Sequence, residues 1–216
     1  MSKPPRPLVD LGPDTVSALA RSTVSHYQQR AEDFREGTKD HDVSQNVDAL
    51  LRNLPGQAPQ RILDLGCGPG RDVATFVARG HAPVGLDGAA AFVDMARVAT
   101  GCEVWHQDFL ALDLPADRFD GVFANAVLFH VPTQELGRVL DDLRQTLVAG
   151  GALFCSNPRG PDVEHQQGLR YGAYLTLETW SRFVMAAGFE LIEHYFRPPG
   201  RPRSEQPWLA TVWRAV

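Results

Sequence analysis

The sequence predicts an α/β fold: one doubly wound domain on a seven-stranded, mostly parallel sheet whose last strand is antiparallel, with helices on both faces and a helical cover at the N-terminus. Three observations predict it. After Pro59, short apolar runs alternate with amphipathic stretches, the pattern of parallel strands joined by crossover helices. The first run, Ile62-Leu63-Asp64-Leu65, ends in the glycine-rich turn Gly66-Cys67-Gly68-Pro69-Gly70 and feeds a helix directly. The last two runs have no helix between them, so they pair as an antiparallel hairpin through the loop at 198–207.

Residues 1–13 carry Pro4, Pro5, Pro7 and Pro13 with little periodicity, and read as a flexible tail without function. Val16, Leu19, Ala20, Val24, Tyr27, Ala31 and Phe34 recur at three- and four-residue intervals, which predicts one amphipathic helix over 16–34 with Gly37 as its stop. Val43, Val47, Leu50, Leu51 and Leu54 form a second helical stripe, ended by Pro55-Gly56. Strands are expected at 61–65, 82–87, 102–107, 119–125, 152–157, 189–197 and 209–216. Helices are expected at 71–78, 89–99, 133–148 and 177–187, with Gly80, Gly101, Gly150-Gly151 and Gly188 at their C-terminal stops. No repeat or long linker divides the chain, so 14–216 reads as a single domain with its cover at 14–56 and its core at 57–216.

Composition narrows the function. The chain of 216 residues is 44% hydrophobic and 22% charged, too apolar for a disordered protein and long enough for one sizeable core. Lys and Arg number 21 against 26 Asp and Glu, a net charge of −5, so no basic field is available for a nucleic acid backbone. No window approaches the roughly 18 apolar residues of a membrane helix, and no apolar leader opens the chain; a cytoplasmic protein without membrane contact is expected. Cys67, Cys102 and Cys155 lack the CxxC spacing of zinc or redox sites and read as buried thiols.

The glycine turn is a nucleotide or cofactor site, because ligands of open α/β sheets bind beyond the carboxyl ends of strands. A dinucleotide fingerprint needs a glycine where this chain has Arg71, and Asp64 would repel a pyrophosphate but can counter a cation. A positively charged, phosphate-free cofactor fits better. Asp87 ends the second strand about 20 residues on, where a carboxylate accepts two hydrogen bonds from a ribose diol; its alternative role is a helix N-cap. Asp108 and Phe109 follow the third strand and suit an adenine amino group and ring face.

These segments, LDLGCGPG, GLDG, QDF and FDGVFANAVLFHVP, resemble the class I S-adenosylmethionine-dependent methyltransferases, which have a Rossmann-like fold. The resemblance implies that Gly66, Gly68 and Gly70 hold the methionyl end, Asp87 the ribose, and Asp108 and Phe109 the adenine. Asp64, Cys67, Gly88 and Asn125 fall within the matching motifs and join the implied cofactor set, and Tyr27 is a candidate cover for the methionyl part. A closer resemblance runs through EGTKDHDVSQN, GCEVW, SNPRG, RYGAY and QPWLA, which look like the methyltransferase domain of ovothiol biosynthesis. It implies methyl transfer from S-adenosylmethionine to the imidazole π nitrogen of 5-thiohistidine, giving ovothiol A. It also implies a stand-alone chain whose substrate is supplied by a separate sulfoxide synthase.

Methyl transfer is an in-line displacement, so positioning of the acceptor is most of the catalysis. Arg159, in the turn after the fifth strand, is the first candidate to clamp the substrate carboxylate, with Arg170 second. Tyr171 and Tyr174 are candidate walls for the imidazole, or plain hydrophobic packing. Asn46 lies at the edge of its helix's apolar stripe and needs a polar partner, either the substrate or the core. His41 and Asp42 precede that helix, and Asp42 also suits an N-cap. Asp40-His41-Asp42 cannot easily converge on one ion, so no metal is expected. His130, after the fourth strand, is a candidate general base or a shaper of the pocket. Two other readings stay open: a methyltransferase acting on another small N, O or S acceptor, and a binding module that holds the cofactor without turnover.

Overall fold

The computed structural model describes residues 5–216. Three helices lead the chain: α1 (Pro13–Gln29), α2 (Ala31–Thr38) and α3 (Ser44–Leu51). The core follows as β1 (Arg61–Leu65), α4 (Arg71–Ala78), β2 (Ala82–Asp87), α5 (Ala90–Thr100), β3 (Val104–His106) and β4 (Phe119–Asn125). It continues with α6 (Thr133–Thr146), β5 (Leu147–Pro158), β6 (Val163–Gln167), β7 (Arg170–Tyr174), α7 (Leu177–Ala186), β8 (Phe189–Arg197) and β9 (Trp208–Ala215).

Seven strands form one sheet in the order β3-β2-β1-β4-β5-β9-β8, and β6 pairs with β7 in a separate hairpin. β1 to β5 run parallel, and β9 is antiparallel to both β5 and β8. The expected Rossmann-like sheet, with its last strand antiparallel, is therefore present. Because side chains alternate along a strand, β1, β4, β5 and β9 each serve two cores. Leu63, Val122, Leu153 and Trp213 face α6 and α7, among Leu140, Leu143 and Trp180. Ile62, Phe123, Phe154 and Val212 face α3 and α4, where Phe76 and Leu50 close the second layer. Each such fully buried side chain stabilises the fold by roughly 1.5–3 kcal/mol. No helix among the described residues is long and apolar enough to cross a membrane.

The structure departs from the sequence reading in four places. The predicted helix 16–34 is two helices, broken at Arg30, and Gly37 lies inside α2 rather than stopping it. The break lets Tyr27, Phe34 and Phe92 gather, with ring centroids 5.3–6.1 Å apart. Of the expected tail, residues 1–4 lie outside the described residues, while Leu8 and Leu11 donate their backbone N–H groups to the side chains of Thr133 and Gln134, both at 2.9 Å. Gly150 takes φ of 72° inside a long, bulged β5 instead of capping a helix that ends at 148. Finally, 163–174 is a hairpin turning on Gly168, hidden in the sequence because Glu164, His165, Gln166 and Gln167 carry no apolar alternation.

Candidate active site

The carboxyl ends of β1, β2 and β4, the cover helices and the β6–β7 hairpin enclose a cavity of about 770 Å³. Its floor is the turn after β1. Gly66 takes φ of 69°, and a Cβ there would lie 2.4 Å from Val127 Cγ2, so only glycine fits. The Gly66 and Cys67 N–H groups both donate to Leu86 O, at 2.7 and 3.0 Å, which pins the turn to β2. Gly66, Cys67 and Gly68 line the cavity, but Gly70 does not. Its Cβ would meet Ala96 Cα at 2.9 Å, so Gly70 serves the close packing of α4 on α5 rather than ligand contact.

Asp87 sits on the wall with both carboxylate oxygens engaged. Oδ2 accepts from Gly68 N–H at 3.0 Å and Oδ1 from Ala89 N–H at 2.8 Å, so the carboxylate orders the glycine turn and the start of α5 together. Burial pushes its pKa up to about 6, against the opposing pull of those backbone bonds. Gly88, Asp108 and Phe109 share this wall, and Asp108 Oδ1 accepts from Leu110 N–H at 2.9 Å. Asp64 is not on the wall. It is 2% exposed beneath the turn, and Oδ2 has no partner among the described residues. Burial, then the neighbouring Asp72, raises its pKa well above the carboxylate range. Direct contact with the cofactor, as expected for Asp64, is thus replaced by a place under the turn.

The other half of the cavity is built from side chains. His130 Nδ1 is 2.7 Å from Tyr171 O and Nε2 is 2.8 Å from Tyr27 Oη. Burial lowers the His130 pKa to about 4. With both ring nitrogens occupied, His130 does not have the free lone pair of the expected general base. Asn46, 1% exposed, donates from Nδ2 to Asn125 Oδ1 at 3.0 Å and accepts at Oδ1 from Tyr195 Oη at 2.9 Å. Both amides also line the cavity, as do His41 and Asp42. Asp42 Oδ1 accepts from Ser44 N–H at 2.9 Å, an Asx turn leading into α3.

Three expected substrate residues lie elsewhere. Arg159 donates to Gln206 O at 2.8 Å and Arg203 O at 2.7 Å, tying the end of β5 to the β8–β9 loop. Tyr171 lies in the hairpin with its hydroxyl on Glu164, and contributes its backbone carbonyl to the site instead. Tyr174 stacks on His165 at 4.9 Å with planes 15° apart. Arg170, the second choice, is the arginine of the hairpin that reaches the cavity, and it takes part in no ion pair within 4.0 Å among the described residues. Arg71, by contrast, is bonded to Asp72 through Nε and Nη2 and to Thr38 O through Nη1.

Residues 62–151 match the family described as a methyltransferase domain. Trans-aconitate 2-methyltransferase of Azoarcus sp. (strain BH72) is 36% identical over 115 residues, which is 52% of this chain and 45% of that protein. The malonyl-[acyl-carrier protein] O-methyltransferase of Legionella pneumophila is 33% identical over 116 residues, 49% of this chain and 38% of that one. The chain therefore spans less than half the length of these relatives. The structure of Burkholderia thailandensis 1,6-didemethyltoxoflavin-N1-methyltransferase, with 1,6-didemethyltoxoflavin and S-adenosylhomocysteine bound, aligns with a TM-score of 0.79 at 22% identity over 97% of this chain and 94% of that one. The fold is that of the class I methyltransferases.

The cofactor of this methyltransferase fold is S-adenosylmethionine, and the residues present fit it. The turn brings the backbone of Gly66, Cys67 and Gly68 to the cavity, and Asp87 offers a buried acceptor at the end of β2. The sequence reading missed Phe34, Phe92 and Arg197 on the walls. Phe34 belongs to a stripe legible only as helix packing, Phe92 to a buried helix face, and Arg197 to a strand end.

Proposed function

We propose that the protein is a small-molecule N-methyltransferase that methylates the imidazole π nitrogen of 5-thiohistidine to give ovothiol A. One observation carries the amino acid part of this reading. Arg170 brings an unneutralised guanidinium to the cavity, close enough that its charge acts with burial to lower the pKa of His130 and works against the burial that raises the pKa of Tyr27. A fork of that kind matches the carboxylate of an amino acid. The cluster of Asn46, Asn125 and His130 beside it supplies polar groups for an amine or an imidazole, and the resemblance of the 36–46 and 156–174 segments supports the particular acceptor.

S-adenosylmethionine supplies the methyl group on a sulfonium. The glycine turn and Asp87 hold the methionyl and ribose parts, with Asp108 and Phe109 toward the adenine. Arg170 anchors the substrate carboxylate, and the Asn46–Asn125 pair, rigid because each amide is already bonded, fixes the amine or ring. Sulfur is the softer nucleophile of 5-thiohistidine, so the choice of nitrogen rests on this anchoring. Phe34, Phe92 and Tyr27 cover the site and exclude water.

Incubation with S-adenosylmethionine and 5-thiohistidine, histidine or trans-aconitate, followed by mass spectrometry and NMR, tests the reading. Methyl on the π nitrogen of 5-thiohistidine is the expected product. Transfer to the carboxylate of trans-aconitate, or to none of the three, refutes it.

A further inference from the structure

The Tyr27 hydroxyl has a hydrogen-bond polarity fixed by its neighbours. Tyr171 O is a carbonyl and only accepts, so the contact at 2.7 Å places a proton on His130 Nδ1. Arg170 and His26 both disfavour a second proton on the ring, and burial does so more strongly, so the imidazole is neutral and Nε2 is a bare lone pair. The Tyr27 proton must then point at Nε2, 2.8 Å away. Its single donor is spent, and the remaining lone pairs of Oη belong to a side chain on the cavity wall between Asp87 and Arg170.

We propose that Tyr27 is a catalytic residue that acts as an obligate hydrogen-bond acceptor for the τ N–H of the substrate imidazole, and so selects the tautomer whose π nitrogen is free to take the methyl. This rests on the 5-thiohistidine reading above. A neutral imidazole carries one N–H, and holding that proton on the τ nitrogen leaves the π lone pair as the nucleophile. In the transfer, the bond from the π nitrogen to the methyl carbon forms as the sulfur–carbon bond breaks, and the electron pair of that bond goes to sulfur. Positive charge passes from the sulfonium to the ring, while the τ proton stays in place. The τ N–H becomes a stronger donor as that charge develops, so its bond to Oη is tighter in the transition state than in the ground state. His130 touches no reacting atom in this scheme. It is a positioning residue whose Nδ1–H bond to Tyr171 O turns Nε2 toward Tyr27, and the hairpin carbonyl thereby sets the polarity at the reacting ring.

Two measurements test this. The ¹⁵N NMR signature of His130 in the full-length protein with S-adenosylhomocysteine at pH 7 is expected to show the Nδ1–H tautomer. An Nε2–H ring or an imidazolium overturns the proposal whatever the substrate. Steady-state kinetics of Tyr27→Phe are expected to show kcat lowered roughly 10- to 100-fold, the range for one charge-assisted hydrogen bond, with KM for S-adenosylmethionine within about twofold of wild type. NMR of its product is expected to show a larger share of methyl on the τ nitrogen or sulfur. Wild type active on 5-thiohistidine with Tyr27→Phe equal in kcat and in product overturns the proposal alone. Wild type inactive on 5-thiohistidine overturns both it and the function on which it rests.

Discussion

The two halves of the cavity are built differently. The cofactor half is made of backbone at the ends of neighbouring parallel strands: Gly66, Cys67 and Gly68 are held by Leu86 O and Asp87, with distances fixed by the register of β1 on β2. The opposite half is assembled from side chains far apart in the chain, with Tyr27 from α1, Asn46 from α3, His130 after β4 and Arg170 from the hairpin. The first is therefore nearly a property of the fold, and the second a property of this chain. Damage should divide in the same way: changes to the turn cost folding and cofactor together, and changes to the side-chain half cost the acceptor alone.

The largest effect is expected at the turn. Gly66→Ala forces a side chain into Val127 at φ of 69°, and should destabilise the fold by roughly 2–4 kcal/mol with loss of measurable S-adenosylhomocysteine binding. Denaturant titration and calorimetry check this; a stable variant that binds normally breaks the distinction between the halves. Arg170→Met comes next. It should raise KM for 5-thiohistidine roughly 10- to 100-fold while thermal stability is unchanged, because no bond within the protein is lost. Arg159→Ala reverses that pattern, with the same KM and a modest loss of stability of about 1 kcal/mol from the freed β8–β9 loop.

A smaller effect sharpens the contrast through pH. Asp87 has a pKa of about 6 in the folded protein, above its ordinary 3.8, so the carboxylate proposed to accept from the ribose hydroxyls is lost as pH falls through 6. S-adenosylhomocysteine affinity should decline below that pH. The folded state feels the opposite sign: the stabilising effect of the raised pKa is complete below 3.8 and disappears as pH rises through about 6. Calorimetric titrations between pH 5 and 8 should show affinity rising with pH; flat affinity across that range removes Asp87 from the ribose contact.

The same division governs what the sequence reveals. Strands β1, β2, β4 and β8 are legible to the residue, since their apolar runs and bounding glycines or acids are local signals. Gly66, Gly68 and Asp87 are legible for the same reason. Arg159 and Arg170 are not separable by any local signal: both are arginines in polar stretches after β5, and only the pairing of Gln167 with Arg170 across a tight turn carries one of them to the cavity. The pair Tyr27–His130 joins residues whose contact depends on how α1 lies over the end of β4, which no periodicity encodes. Nor does the sequence reveal that Asp64 is sealed below the turn, because a strand-end carboxylate can face either side of the backbone.

The most direct test of the separation is S-adenosylhomocysteine binding by Arg170→Met, measured by isothermal titration calorimetry at pH 7.5. Affinity within about twofold of wild type is the expected result, since the backbone-built half is untouched. A loss of tenfold or more would contradict it, placing Arg170 in the cofactor site and leaving the acceptor half without its carboxylate anchor.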